Sequence, residues 1–223
     1  MSDETTEPTT FLLVPGAGGN AWYWHRLVLE LVALGHEAIA VELPADDPRA
    51  GLDRYVDVIV ESGQGHGDLV VVAQSMGGLS GPLVCDRLPV TSLVLLNAMI
   101  PRPGETGGEW WSATGHEMPE DFDEATHLFH DVPADVRAEG LSGGKDQHDR
   151  PFADPWPLDT WPDVATRVIA GIDDRLFPIG FQQRVARERL GIEPETMPGG
   201  HLVALSRPAE LARLLLPDPS AAH

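Results

Sequence analysis

The stretch Leu69-Val-Val-Val-Ala-Gln-Ser-Met-Gly-Gly78 narrows the possible folds of this chain more than any other. Strand-forming apolar residues run into a serine that has small residues, Ala73 and Gly77, two positions to either side. An apolar, helix-compatible segment continues through Val84. Strand, serine, helix is the sequence form of a sharp elbow that lifts a serine hydroxyl clear of a sheet. Small residues are needed because the two backbones crowd there, and Gly78 adds room for close packing. Ser75 is therefore a candidate nucleophile. A hydroxyl is weakly nucleophilic at neutral pH, so the chain must also supply a base, an orienting acid and donors for an oxyanion.

Around the elbow, apolar strands alternate with amphipathic helices. Residues 11–14, 37–41, 69–74, 92–97, 166–170 and 194–197 read as strands. Trp24, Leu27, Val28, Leu31 and Val32 recur at helical period, as do Leu52, Tyr55, Val56 and Ile59. Further helices are expected over 181–190 and from Pro208 onward, where proline suits a first helical position. This pattern predicts an α/β fold, a mostly parallel sheet of about six strands covered on both faces. The 223 residues suffice for one such domain. Residues 1–9 are expected to form a disordered tail.

The texture changes near residue 100. From there to about 162 the chain is rich in Pro, Gly, Asp and Glu, with short helical patches over 121–129 and 134–139. Such a segment inside a compact domain is expected to be a small cap inserted over the site. Residues 100–165 hold 15 acidic and 4 basic residues within a chain of formal charge −20. A field of that sign repels nucleic acid and anionic membranes. The polar, acidic start is unlike a signal peptide, and no apolar run reaches a membrane span, so a cytoplasmic protein is expected. Cys85, the single cysteine, permits no internal disulfide and is expected to be a small buried apolar residue.

The candidates for acid–base work follow successive strands, where open parallel sheets bind ligands. His201, in the glycine-flanked loop before the last helix, is the expected base. His127 and His130 share a helical face without further ligand-like spacing and are expected on a solvated surface. Asp173 and Asp174 both follow the fifth strand, and residue chemistry alone leaves the choice of orienting acid open. The order Ser, Asp, His is the one found when a serine elbow sits on such a sheet. The Pro15-Gly-Ala-Gly-Gly19 loop lacks the spacing of a phosphate cradle and can instead offer backbone N–H groups to an oxyanion.

With these residues in place, the chain resembles the α/β-hydrolase superfamily, and within it the methylesterase and hydroxynitrile-lyase branch. The likeness rests on five stretches. They are Phe11-Leu-Leu-Val-Pro-Gly-Ala17 with Ala21-Trp-Tyr-Trp24, Ala73-Gln-Ser-Met-Gly-Gly78, Leu96-Asn-Ala-Met-Ile-Pro101, Asp174-Arg-Leu-Phe-Pro178, and Gly200-His-Leu-Val-Ala-Leu-Ser-Arg-Pro208. The resemblance implies Ser75, Asp174 and His201 as a catalytic triad, with the N–H groups of Ala17 and Met76 forming the oxyanion hole. It implies a serine esterase that cleaves a small-molecule ester through an acyl-enzyme. It implies neither cofactor nor metal, and assigns no oligomeric state. The same triad can serve lyase, acyl-transfer or perhydrolase chemistry, and the fold also has members that only bind ligands. The lyases that resemble this chain carry a lysine after the catalytic histidine; Leu202 stands there, and the acidic insertion argues against a compensating cation nearby. Trp110 and Trp111 are candidates for the substrate pocket.

Overall fold

The computed structural model describes residues 8–216. Six strands form one sheet in the order β2-β1-β3-β4-β5-β6: β1 Thr10–Val14, β2 Glu37–Ala40, β3 Leu69–Gln74, β4 Val90–Leu96, β5 Ala165–Gly171 and β6 Glu195–Met197. Every neighbouring pair is parallel, as expected for apolar strands separated by helices. Successive side chains enter opposite layers. Leu12, Val14, Val71, Ala73, Leu93 and Leu95 pack into one apolar cluster; Phe11, Leu13, Val72, Val94 and Leu96 pack into the other.

Helices cover both layers. α1 (His25–Ala33), α8 (Val203–Ser206) and α9 (Pro208–Leu215) supply Leu27, Leu31, Val203 and Leu211 to the second cluster. α2 (Leu52–Gly63) and α7 (Ile179–Leu190) supply Tyr55, Ile59, Val185 and Ala186 to the first. Between β4 and β5 the chain forms four short helices: α3 Gly107–Thr114, α4 Glu124–His127, α5 Ala134–Ser142 and α6 Arg150–Ala153. No described helix is long and apolar enough to cross a membrane.

Three expectations are corrected. The segment after the serine is not an α-helix but two 3-10 turns, Ser75–Leu79 and Gly81–Val84. Gly77, Gly78 and Gly81 weaken helix there, and Pro82 has no N–H to continue a ladder. α3 was not foreseen. Of the expected tail, residues 1–7 lie outside the described residues, while Thr9, just before β1, is tied to the start of β2: its N–H donates to His36 Nδ1 (3.2 Å) and its carbonyl accepts from Glu37 N–H.

Strand order reverses direction at β1, which pairs with β2 on one side and β3 on the other. The crevice at the C-terminal ends of β1 and β3 is therefore the topological switch point where ligands bind in open sheets. Ser75 directly follows β3, and the Pro15–Gly19 loop directly follows β1.

Candidate active site

Ser75 occupies a left-handed backbone conformation, φ +51°. For a residue with a Cβ that costs about 1–2 kcal/mol, so the surroundings must enforce it. They do: a Cβ at Gly77 would lie 2.7 Å from Pro15 O and 2.9 Å from Val14 O, so the chain after the serine runs hard against the end of β1. Only glycine allows that approach.

The turn delivers Ser75 to His201. Ser75 Oγ lies 2.9 Å from His201 Nε2, and His201 Nδ1 lies 2.8 Å from Asp174 Oδ2. All three residues are buried. Asp174 Oδ1 accepts the N–H groups of Leu176 and Phe177, 2.8 Å each, and Oδ2 also accepts from Gln182 Nε2 at 3.3 Å. The carboxylate is fixed from four directions, so it takes the Nδ1–H of His201 and leaves Nε2 to accept the serine proton. The edge of the imidazole meets the Phe177 ring at 5.2 Å and 85°. Asp173 is exposed and bonds elsewhere, accepting Gly199 N–H at 3.0 Å.

Polar groups at strand ends hold the histidine loop in register. Asn97 is wholly buried with φ +45°, one residue past β4. Its Nδ2 donates to the carbonyls of Gly200 and His201, 3.1 Å each, and its Oδ1 accepts Gly171 N–H at 2.7 Å. Gln74 Nε2 donates to His201 O at 3.3 Å. Neither residue stood out as functional in the sequence. The signal was there in each case: an amide side chain closing an otherwise apolar strand.

The site opens into a cavity of about 420 Å³ lined by Ser75, Met76, Ala17 and His201 together with Tyr23, Phe177 and Leu202. No hydrogen bond among the described residues takes the N–H of Ala17 or Met76. Two free donors thus border the serine, in a site where preorganised N–H groups can stabilise an oxyanion. The next N–H, that of Gly18, is already taken by Gln147 Oε1 at 3.1 Å. Burial pushes the Tyr23 hydroxyl well above its ordinary range, and its oxygen has no partner among the described residues.

The segment between β4 and β5 supplies much of the wall, including Trp111, Met118, Phe122, Phe129 and Phe152. Trp110 is corrected here. It does not line the cavity: it is fully buried, donates from Nε1 to Ile100 O at 3.1 Å and packs on Phe177 and Phe181. Consecutive helical residues point about 100° apart, so only one of the pair can face the cavity. The solvated histidines are corrected as well. His130 Nδ1 is buried, and His127 is held to the Asp123 backbone. A cation does stand near the cavity, against expectation, because Lys145 lines it; its ammonium is paired with Glu42. Among the described residues no cluster of three or more His, Cys, Asp or Glu could hold a metal.

A sequence profile of the alpha/beta hydrolase family matches residues 11–214. The probable esterase PIR7A of Oryza sativa subsp. indica is 35% identical over 111 residues, 44% of this chain and 42% of that protein. An alpha-hydroxynitrile lyase of Arabidopsis thaliana is 34% identical over 103 residues, 41% of this chain and 40% of that protein. The chain thus covers less than half the length of the curated relatives it matches. The crystal structure of polyneuridine aldehyde esterase superimposes with a TM-score of 0.80 over 94% of this chain and 98% of that one, at 20% identity, which shows a shared fold.

Proposed function

The chain belongs to the alpha/beta hydrolase family, and from that premise we propose that it is a serine esterase acting on small-molecule esters. One observation carries the reading: the unbroken relay from Ser75 through His201 to Asp174 beneath a largely apolar cavity. The esterase names of PIR7A and polyneuridine aldehyde esterase support the same chemistry.

In this mechanism Ser75 Oγ attacks the ester carbonyl carbon while His201 Nε2 takes its proton. Asp174 keeps the proton on Nδ1 and stabilises the imidazolium that forms. The N–H groups of Ala17 and Met76 receive the carbonyl oxygen as it becomes an oxyanion, each contributing on the order of 10²–10³ in rate. The tetrahedral intermediate collapses, the alcohol leaves with the proton from His201, and an acyl-serine remains. Water, deprotonated by His201, then attacks the acyl carbon and releases the acid.

Lyase chemistry is a second reading, favoured by the likeness to the Arabidopsis lyase. It needs a positive group for departing cyanide. Leu202 offers none, and Lys145 is held by Glu42. Purified protein offered short-chain and aryl esters beside mandelonitrile-type cyanohydrins is expected to turn over esters only. Ser75→Ala is expected to abolish covalent labelling by a serine-directed phosphonate and to leave only a residual effect of about 10³–10⁴ over water. Cyanide release without ester turnover overturns the esterase reading, and labelling undiminished in Ser75→Ala overturns the nucleophile.

A further inference from the structure

The loop that carries His201 is gripped from two sides. On the sheet side, Asn97 and Gln74 hold its carbonyls and Asp173 takes Gly199 N–H. On the opposite side the contact comes from the inserted segment. Gly200 N–H, immediately before the histidine, donates to Asp131 Oδ2 at 2.7 Å. Asp131 Oδ1 is buried and has no partner among the described residues, so nothing there draws the carboxylate away from this loop. The approach is also close, and a side chain at position 200 would have to push Asp131 and His130 aside. A Cβ at position 200 would fall 2.8 Å from Asp131 Oδ1 and 2.5 Å from His130 Cε1.

We propose that Asp131 is a positioning residue for His201, a carboxylate supplied by the inserted segment that fixes the Gly200 peptide and thereby the placement of the imidazole against Ser75. The physical ground is that a carboxylate accepting a backbone N–H makes a shorter and stronger bond than a neutral acceptor does. One residue along the chain from that bond, the His201 ring spans 2.9 Å to Ser75 and 2.8 Å to Asp174, a fit that a small tilt of the peptide breaks at both ends. Misplacement of about 1 Å can cost on the order of 10²-fold in rate. The inserted segment then has two tasks, walling the cavity and holding the base.

This inference rests on the serine-esterase reading, and its test separates the two. The kcat and KM of wild type, Ser75→Ala, Asp131→Ala, Asp131→Leu and Asp131→Asn are measured on a p-nitrophenyl ester, with melting temperatures alongside. Asp131→Ala and Asp131→Leu are expected to lose about 10- to 100-fold in kcat with KM unchanged. Leucine, which has aspartate's branched shape without an acceptor, keeps the test open should the alanine variant fail to fold. Asp131→Asn, which retains an acceptor oxygen, is expected to recover most of kcat. A full kcat in both apolar variants overturns the proposal, as does an asparagine variant no better than alanine. An inert wild type overturns the esterase reading and this inference with it; an active one silenced by Ser75→Ala leaves Asp131 to be judged alone.

Discussion

Asp173 and Asp174 share a turn yet serve different partners, because successive side chains leaving a strand point apart. Asp174 takes the imidazole Nδ1–H, and Asp173 takes the N–H of Gly199. Asp174→Asn is therefore expected to cost on the order of 10⁴ in kcat, since the amide favours the wrong tautomer of His201. Asp173→Asn keeps an acceptor oxygen and is expected to cost far less; ester kinetics of the two variants decide, and equal losses refute the distinction. At this scale the sequence was most legible where one residue carries one chemical role. Ser75 and His201 were recognisable from their flanking glycines and their order, and Cys85 from its apolar surroundings. Cys85 is buried, and burial, helped by the nearby Asp86, pushes its thiol up to about 12. Asn97 and Gln74 showed only as amides closing apolar strands, and the role of Asp131 left no signal. Each acts on a backbone group more than 65 residues away, as Gly200 N–H on Asp131 shows, and that proximity exists only once the strands are in order.

α3 shows why elements were legible to different degrees. It starts with a capping box, Thr106 Oγ1 accepting from Glu109 N–H while the Glu109 carboxylate accepts from Thr106 N–H. That second bond, with another from the Thr106 hydroxyl, holds the carboxylate below its ordinary range. Thr-x-x-Glu was visible in the sequence, but two glycines inside it and the Pro-rich surroundings masked the start. The elbow segment failed in the opposite sense: its apolar content suggested helix, whereas glycines and Pro82 produce 3-10 turns. In α1 the period held for Leu27 and Leu31 but not for Val32, which is 56% exposed at the edge of the buried stripe. The same geometry divides the tryptophans of α3. Trp110→Ala is expected to lower stability by about 3–5 kcal/mol, as loss of a buried aromatic does, without changing KM. Trp111→Ala, which strips a cavity wall, is expected to raise KM for aryl esters about 2- to 10-fold through lost ring contacts. Denaturant melts and KM values on an aryl ester test both, and a raised KM in the Trp110 variant alone reverses their assignment.

Across the whole molecule the charge is the property that composition made plain and the fold localises. A formal charge of −20 surrounds a site whose wall includes Glu124 and Asp146, and the lysine that lines it is paired with Glu42. What composition did not reveal is how the acidic segment between β4 and β5 stays on the rest of the fold. Trp110, Trp156, Phe129 and Val132 bury it in the two apolar clusters, and scattered polar contacts tie it to the first glycine-rich loop and its neighbours: Gln147 on Gly18, Lys145 on Glu42, Glu139 on the Trp22 indole, and Gly143 O on the Asn20 amide. These polar contacts have no periodic signature, because most of the partners lie on irregular chain; Glu139, on α5, and Trp22, on a 3-10 turn, are the exceptions. The consequence for substrates follows from Coulomb repulsion. An ester bearing a carboxylate approaches a like-charged surface, and the repulsion reaches about 30 Å at 0.01 M salt but only about 8 Å at 0.15 M. Raising salt over that range is expected to increase kcat/KM for an anionic ester such as monophenyl succinate on the order of tenfold. Phenyl acetate, with no charge to steer, should stay level. Paired assays across the salt series check this. Equal stimulation of both esters would place the effect on the protein rather than on the approach. An anionic ester slowed by salt would mean that Lys145 leaves Glu42 to receive it, reversing the sign that the net charge imposes.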